Sequence, residues 1–349
     1  MDKNKEIEGI IFRSDRQGAQ VSTEPYNPSR EVYHLNSSLI RKYELKTGFR
    51  IKFIAVRKNI HELISINGNP PDKILYRRNF DKLIAINPQN KFDFSASSDT
   101  TLRAIDFAAP IAKGSRALVI SPPRAGKTVL LEKLALFFAQ IENLRTILFL
   151  VDERPEEITN FQRLTDLPVF SSSMDQETDR HIKLAELLAK NIRYEMESGN
   201  DVVVLIDSLT RLGRAHNLND RRSGSHIMSG GLGSNALQLP RKLFGLARNI
   251  EGGGSCTIIA TILHETGSRM DDVIFQEFKG TGNCEIVLDR DLAEMRIFPA
   301  INIKQSGTRR EELFRSQAEL DKNNLMRRDL LRLDKFEAMK KLINILENN

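Results

Sequence analysis

The sequence predicts an α/β protein in two parts: a small β-barrel, then a mainly parallel sheet flanked by helices and carrying a phosphate-binding loop. Three observations predict it. Short β-rich runs broken by turn residues fill the segment from Val32 to Ile66. From Arg116 onward, β-rich runs alternate with helical patterns. Between one such strand and the next helix lies Ser121-Pro-Pro-Arg-Ala-Gly-Lys-Thr128, the context that a phosphate loop requires. The 349 residues, 40% hydrophobic and 28% charged, allow two or three domains with ample core. No apolar stretch approaches the roughly 18 residues needed to cross a bilayer. Met1 to Ile10 is charged and lacks the apolar core of a secretory signal. Cys256 and Cys284 each fall inside an apparent buried strand, and the six His are scattered without zinc-type spacing. The expectation is a reduced, cytoplasmic protein without a structural metal.

In chain order, the barrel is expected over residues 1–70. Its strand runs are Val32 to Leu35, Phe49 to Val56 and Glu62 to Ile66, broken by Gly48 and Asn67-Gly-Asn-Pro-Pro71. Residues 1–95 hold 17 basic and 11 acidic side chains, against 35 and 35 in the remainder, so the whole +6 excess lies in the first quarter. Ten of the 23 Phe and Tyr lie there too, including Phe12, Tyr33, Phe49 and Phe53. Basic residues interleaved with aromatics suit phosphate attraction and base stacking, and a plain basic face is the competing reading. Residues 71–100, with Pro-containing turns and the Ser-rich Ser95-Ala-Ser-Ser-Asp99, read as a connector. The second domain is expected over 101–315, with strands at Arg116 to Ile120, Thr146 to Val151, Val202 to Ile206 and Cys256 to Leu263. Helices are expected at Lys127 to Gln140 and near Thr178 to Met196. Residues 316–349 form a docked C-terminal helical segment, with Leu330, Leu331, Leu333, Phe336, Met339 and Leu342 at helical spacing.

The chemistry concentrates at strand ends. Backbone N–H groups of the loop and the following helix N-terminus would hold phosphates. Lys127 supplies a charge to the β and γ phosphates, and the Thr128 hydroxyl is a Mg²⁺ ligand. Two further strands end in carboxylates, at Asp152-Glu153 and at Asp207. In a parallel sheet such ends share the ligand-binding edge. Asp207 fits a carboxylate that coordinates Mg²⁺ through water; Glu153 fits a base that polarises the attacking water. Asp152 fits either the site or a cap for a helix starting at Pro155. Arg309, on a loop far from the phosphate loop in sequence, reads either as a solvated charge or as an arginine finger acting on a neighbouring subunit. The Gly-rich segments Arg221 to Gly233 and Glu277 to Asn283 are either surface loops or grips for a nucleic-acid backbone.

Taken together, these residues resemble the bacterial Rho family of transcription termination factors, ring-shaped hexameric RNA-dependent ATPases and helicases of the RecA-like class. The resemblance is dense from Lys73 to Glu312: Lys73-Ile-Leu-Tyr76, Pro122-Pro-Arg-Ala-Gly-Lys-Thr128, Asp152-Glu-Arg-Pro-Glu-Glu157, Asp207-Ser-Leu-Thr-Arg-Leu212, Ala247-Arg-Asn-Ile-Glu251, Glu277-Phe-Lys-Gly-Thr-Gly-Asn283 and Ser306-Gly-Thr-Arg-Arg-Glu-Glu312. It implies a RecA-like ATPase domain preceded by an OB-fold-like, cold-shock-like RNA-binding barrel. It implies ATP and Mg²⁺ as cofactors, with Lys127, Glu153 and Arg309 catalytic and Thr128 and Asp207 on the metal. The nucleotide would be lined by Ala112, Lys113, Gly114, Ser115, Arg116, Arg124, Ala125, Gly126, Lys127, Thr128, Val129, Arg154 and Phe298, the last packing on adenine. RNA would meet Tyr33 in the barrel and Ser223, Gly224, Gly230, Gly231, Lys279 and Gly280 in a pore. The implied partners are single-stranded RNA, five further copies of the chain, RNA polymerase and elongation factors, with no membrane. The barrel departs from the family pattern: Ala19, Val21, Ile60 and His61 align with its aromatic platforms, and the pore loop has Ser225 in place of Lys. Two readings therefore stay open beside transcript release: a diverged paralogue acting on other single strands, and a slow nucleotide-dependent RNA-binding scaffold.

Overall fold

The structure, a computed structural model, describes residues 5–15, 18–23, 31–222 and 231–348. It opens with β1 (Glu6–Ser14), β2 (Gly18–Ser22), β3 (Val32–Asn36), α1 (Ser37–Tyr43), β4 (Arg50–Val56) and β5 (Asn59–Ile66). The five strands close into a barrel in the order β1-β2-β3-β5-β4. Alternating residues point inward, as the period of two requires, so Ala19, Val21, Tyr33, Leu35, Phe49, Ile51, Phe53 and Ile60 form one core. Gly9 lets β1 and β2 approach: a Cβ there would lie 2.7 Å from Val21 Cγ1.

After a connector containing β6 (Ala85–Ile86) come α2 (Thr100–Ala108), β7 (Arg116–Ser121), α3 (Lys127–Ala139), β8 (Leu144–Glu153) and α4 (Pro155–Leu164). The chain continues through β9 (Val169–Ser173), α5 (Thr178–Glu197), β10 (Asp201–Asp207), α6 (Leu209–Arg222), α7 (Gln238–Phe244), β11 (Arg248–Ile250) and β12 (Ser255–Leu263). It ends with α8 (Arg269–Lys279), β13 (Cys284–Val287), α9 (Arg290–Glu294), β14 (Gly307–Thr308), α10 (Gln317–Leu330) and α11 (Lys335–Glu347). The sheet runs β14-β13-β7-β12-β10-β8-β9, and β11 joins β12 to β6. From β13 to β9 every pairing is parallel, and Val202 to Ile206 of β10 are buried throughout, as a sheet covered by helices on both faces demands. The expected single C-terminal helical segment is two helices. Asp334 breaks it by capping α11, its carboxylate accepting from the Phe336 and Glu337 amides.

A buried polar cluster fastens the barrel to the sheet. Glu195, fully buried near the end of α5, accepts from Arg50 of β4 at 2.7 Å and faces Arg145 at the start of β8 at 3.3 Å. Arg50 also donates to Glu8 of β1 at 2.8 Å. Asn67 donates to the Tyr194 carbonyl, Asn191 donates to the Gly48 carbonyl, and the Phe49 ring stacks on Tyr194 with centroids 4.1 Å apart. Among the described residues no helix is long and apolar enough to cross a membrane.

Candidate active site

The phosphate loop leaves β7 at Ser121, whose hydroxyl donates to the Pro122 carbonyl at 2.9 Å. Two left-handed residues, Arg124 (φ 65°) and Gly126 (φ 91°), turn the backbone into α3. The N-terminal amides of that helix are the orphan donors that an anion satisfies. Lys127 opens α3 and its ammonium is paired with both carboxylate oxygens of Asp207 at the end of β10. Asp207 is buried, and Thr261 of β12, the strand between β7 and β10, donates to its Oδ1 at 2.9 Å. Thr128 follows on the first turn of α3.

Glu153 arrives by an extension of β8. Asp207 pairs with Leu150, so β8 runs three residues beyond it, and a bulge against β9 with Asp152 at φ 52° redirects the chain. Glu153 is 1% exposed. Its Oε1 accepts from the Arg154 amide and from Arg211 Nη2, each at 3.0 Å, while its buried Oε2 has no hydrogen-bond partner among the described residues. Burial pushes this carboxyl above the ordinary carboxylate value and the Asp207 charge pushes the same way, with the Arg154 amide, Arg211 and Lys127 opposing. Asp152 is not a helix cap: Arg154 occupies that position without a side-chain bond, and the Asp152 carbonyl accepts from Arg211.

Arg211 and Thr261 are site residues that sequence reasoning missed. Arg211 was within reach, since it lies on the first turn of the helix that follows Asp207. Thr261 gives no signal, because a Thr inside an apolar strand looks like any β-former.

The remaining expected residues fall into three groups. Phe298, half exposed, stands beside the loop: a Cβ on Gly126 would lie 3.5 Å from its ring. Val129 and Arg154 are exposed at the same edge, and Ala125 is buried beneath the loop. The second group, Ala112, Lys113, Gly114, Ser115 and Arg116, expected to line the nucleotide pocket, lies at the opposite edge from the phosphate loop of the same chain. They precede β7; Lys113 pairs with Asp201 at the start of β10, and the Gly114 amide donates to Thr257 near the start of β12. Arg309 shares this edge. Its amide donates to the Asn283 carbonyl at 2.8 Å, and Thr308 pairs with Cys284, which pairs with Ala117. Ala117 is four residues upstream of Ser121, or about 13 Å at ~3.3 Å per residue. Lys279 and Gly280 end α8 and lead to Gly282, which lies against the Arg116 carbonyl.

The third group is the nucleic-acid set. Gly231 is held by Asn217, which donates to its carbonyl at 3.1 Å, whereas Ser223, Gly224, Ser225 and Gly230 lie outside the described residues. Tyr33 is corrected from stacking platform to core: it is 8% exposed, edge-on to Phe53 at 5.2 Å, with its hydroxyl donating to Glu31. Phe49 and Phe53 are likewise buried, and Phe12 is partly buried against the sheet-domain core. Ala19, Val21 and Ile60 face into the barrel, so only His61 of the four aligned platform positions is exposed. The outer face over β1 to β3 is a polar groove of about 460 Å³ that includes Arg13, Gln20, His34 and Asn36.

The ATP synthase alpha/beta family nucleotide-binding domain matches residues 101–308. A type III secretion system ATPase from pathogenic bacteria shares the fold, with a TM-score of 0.63 and 24% identity over 78% of this chain and 84% of that one. Transcription termination factor Rho of Cereibacter sphaeroides is 42% identical over 92% of this chain and 79% of the relative's length. Its counterpart in Aquifex aeolicus is 45% identical over 92% of this chain and 76% of its own length. With a phosphate loop, a paired Lys and Asp, and a buried glutamate converging on one edge of a RecA-like sheet, the chain belongs to the Rho family of transcription termination factors.

Proposed function

We propose that this chain is an ATP-driven motor that moves along single-stranded RNA and releases transcripts, working as one subunit of a ring. The observation that carries the reading is the single edge at which the phosphate loop, the Lys127–Asp207 pair and buried Glu153 meet. Arriving phosphates compete with Asp207 for Lys127, which frees the carboxylate. Asp207 and Thr128 then offer oxygen donors, the hard ligand type that suits Mg²⁺, and a bound ion would neutralise charge on the phosphate oxygens. Arg211 orients Glu153 through Oε1, which leaves Oε2 as the acceptor that takes a proton from the attacking water.

The opposite-edge position of Arg309 supports action in trans, on the phosphates held by the next subunit, with Arg116 and its neighbours facing the same interface. Arg154 contacts phosphate and Phe298 covers adenine. Lys279 and Gly280, with Ser223, Gly224, Gly230 and Gly231, face RNA in the pore. In this reading residues 1–70 are the RNA-binding barrel, 71–100 the connector, 101–315 the motor and 316–349 a helical brace, with RNA polymerase and elongation factors as partners. The buried barrel aromatics favour a variant in which the barrel holds RNA by its phosphates and reads bases weakly.

The test is the ATPase rate with and without homopolymer RNA, including polycytidine. RNA should raise the rate, and Glu153→Gln should bind ATP yet turn over little. A rate indifferent to every RNA rejects the motor reading and leaves the scaffold.

A further inference from the structure

The segment that bears Arg309 is fastened on both sides while its own side chain stays exposed. Upstream, a turn over 302–306 is tied to the sheet: the Ser306 hydroxyl accepts from the Val287 amide at 2.9 Å, and the Ser306 amide donates to the Asn302 carbonyl. Arg327 of α10 reaches over this turn. Its guanidinium donates to the carbonyls of Ile303 at 2.6 Å, of Ser306, and of Ala108 at the end of α2 at 3.1 Å. Beside Arg309, the Thr308 hydroxyl donates to the Pro110 carbonyl at 2.7 Å. Downstream, buried Arg315 donates to the Asp106 carbonyl of α2 and faces Glu311 at 3.4 Å.

The three backbone carbonyls are divided between Nη1 and Nη2 of one guanidinium, an arrangement that suits a planar fork better than a single ammonium nitrogen. Two of the three belong to the turn that leads into the segment bearing Arg309. The ordinary reading is that Arg327 merely docks α10. That docking is already provided by the apolar contacts of Leu330, Met326 and Leu333 with the core. What the guanidinium adds is the position of the turn.

We infer that Arg327 is a positioning residue for Arg309: it locks the stem from which Arg309 reaches the neighbouring subunit's phosphates, and makes the C-terminal helices part of the composite active site. The inference rests on the proposed trans action of Arg309. A finger must meet developing charge within a fraction of an ångström, and about 1 Å of misplacement can cost on the order of 10²-fold in rate.

The experiment measures RNA-stimulated turnover and the ATP KM of the full chain carrying Arg327→Lys, which keeps the charge but not the planar fork. The expected result is a fall in kcat of roughly 10- to 100-fold with KM within about twofold. Arg309→Ala combined with Arg327→Lys should be no slower than Arg309→Ala alone, because a finger that is gone cannot be misplaced. Thr308→Val, which deletes one hydroxyl, should lower kcat in the same direction by less, and keeps the test open should the Lys variant fail to fold. Wild-type kcat in both Arg327→Lys and Thr308→Val, beside an inactive Arg309→Ala, overturns the inference while leaving the finger intact. Losses that multiply in the double variant overturn it as well, since they assign Arg327 to general stability. Full turnover in Arg309→Ala refutes the finger itself.

Discussion

Arg50→Met should reveal how firmly the barrel is bound to the motor. The Arg50 side chain is 13% exposed, and its guanidinium makes two bonds to Glu195, at 2.7 and 3.2 Å, and one to Glu8 at 2.8 Å. Methionine fills much of the space but leaves Glu195, which has no exposed side-chain surface, facing Arg145 and Asn200 alone among the described residues. Breaking a buried pair by removing one partner costs about 3–5 kcal/mol. The remaining Arg145 reduces this to about 2–4 kcal/mol for the single variant. Adding Glu195→Gln should restore part of the loss, because the unpaired charge disappears. In the wild type, Glu195 suffers a burial penalty but Arg50 and Arg145 overcome it and hold its carboxyl below the ordinary value. Its stabilisation is therefore present above the unfolded carboxylate range and lost as pH falls. Without Arg50 the burial penalty weighs more heavily, protonation relieves it, and the gap between variant and wild type narrows as pH falls. Urea unfolding of the nucleotide-free protein, followed by circular dichroism at pH 7 and pH 5, measures all three effects. A single variant within about 0.5 kcal/mol of wild type, or a double variant less stable than the single, would refute the reasoning.

Four further outcomes follow from the same geometry. Glu153 must be ionised to act as a base, and burial raises its carboxyl, so the acid limb of the turnover–pH profile should lie above the ordinary carboxylate range; a limb at or below that range removes Glu153 from the role. Arg309→Ala should lose about 10³- to 10⁵-fold in turnover with nucleotide binding nearly intact, and mixing it with Lys127→Ala subunits should restore some activity; co-assembly without rescue argues for a site within one subunit. RNA affinity of the nucleotide-free chain should fall steeply with salt, with a logarithmic slope near −0.7 per phosphate contacted, and differ little between polycytidine and polyadenosine; strong cytidine selectivity would contradict the buried aromatics. Ala19→Phe, which places a ring at a position aligned with a platform, should lower stability by about 1–3 kcal/mol through overpacking and add no pyrimidine preference, as thermal melts and homopolymer titrations would show.

The sheet was legible because its strands are apolar runs closed by carboxylates or turn residues. The run from Val202 to Ile206 is buried in full, and β8 overshoots its predicted end only to carry Glu153 into the site. The barrel was legible in its last strands but not its first: β1 reads Glu-Ile-Glu-Gly-Ile-Ile-Phe-Arg-Ser, where charges and a glycine hide the pattern. Aromatic content misled, because composition does not say which face of a strand a ring occupies, and Tyr33, Phe49 and Phe53 all point inward. Ala112 to Arg116 came from the family resemblance alone, and the length of β7 separates them from the phosphate loop of the same chain. Arg327 was invisible because its partners are backbone carbonyls 21, 24 and 219 residues away, which no side-chain motif records.

The placement of the phosphate loop and Arg309 at opposite edges of one sheet gives each subunit a donor side and an acceptor side. With Arg309 acting in trans as proposed, two such chains would not satisfy each other face to face; they would add head to tail, and the series would end only if the rotation between neighbours closes. Under the proposed trans action of Arg309, the assembly has a sense of rotation written into it, since every catalytic event would join a subunit to the same one of its two neighbours. If movement along a strand is coupled in order to the events at these interfaces, that polarity would set the direction of travel. It also makes closure a matter of a few degrees of subunit rotation: the same contacts that complete a ring would, slightly misaligned, run on as a filament.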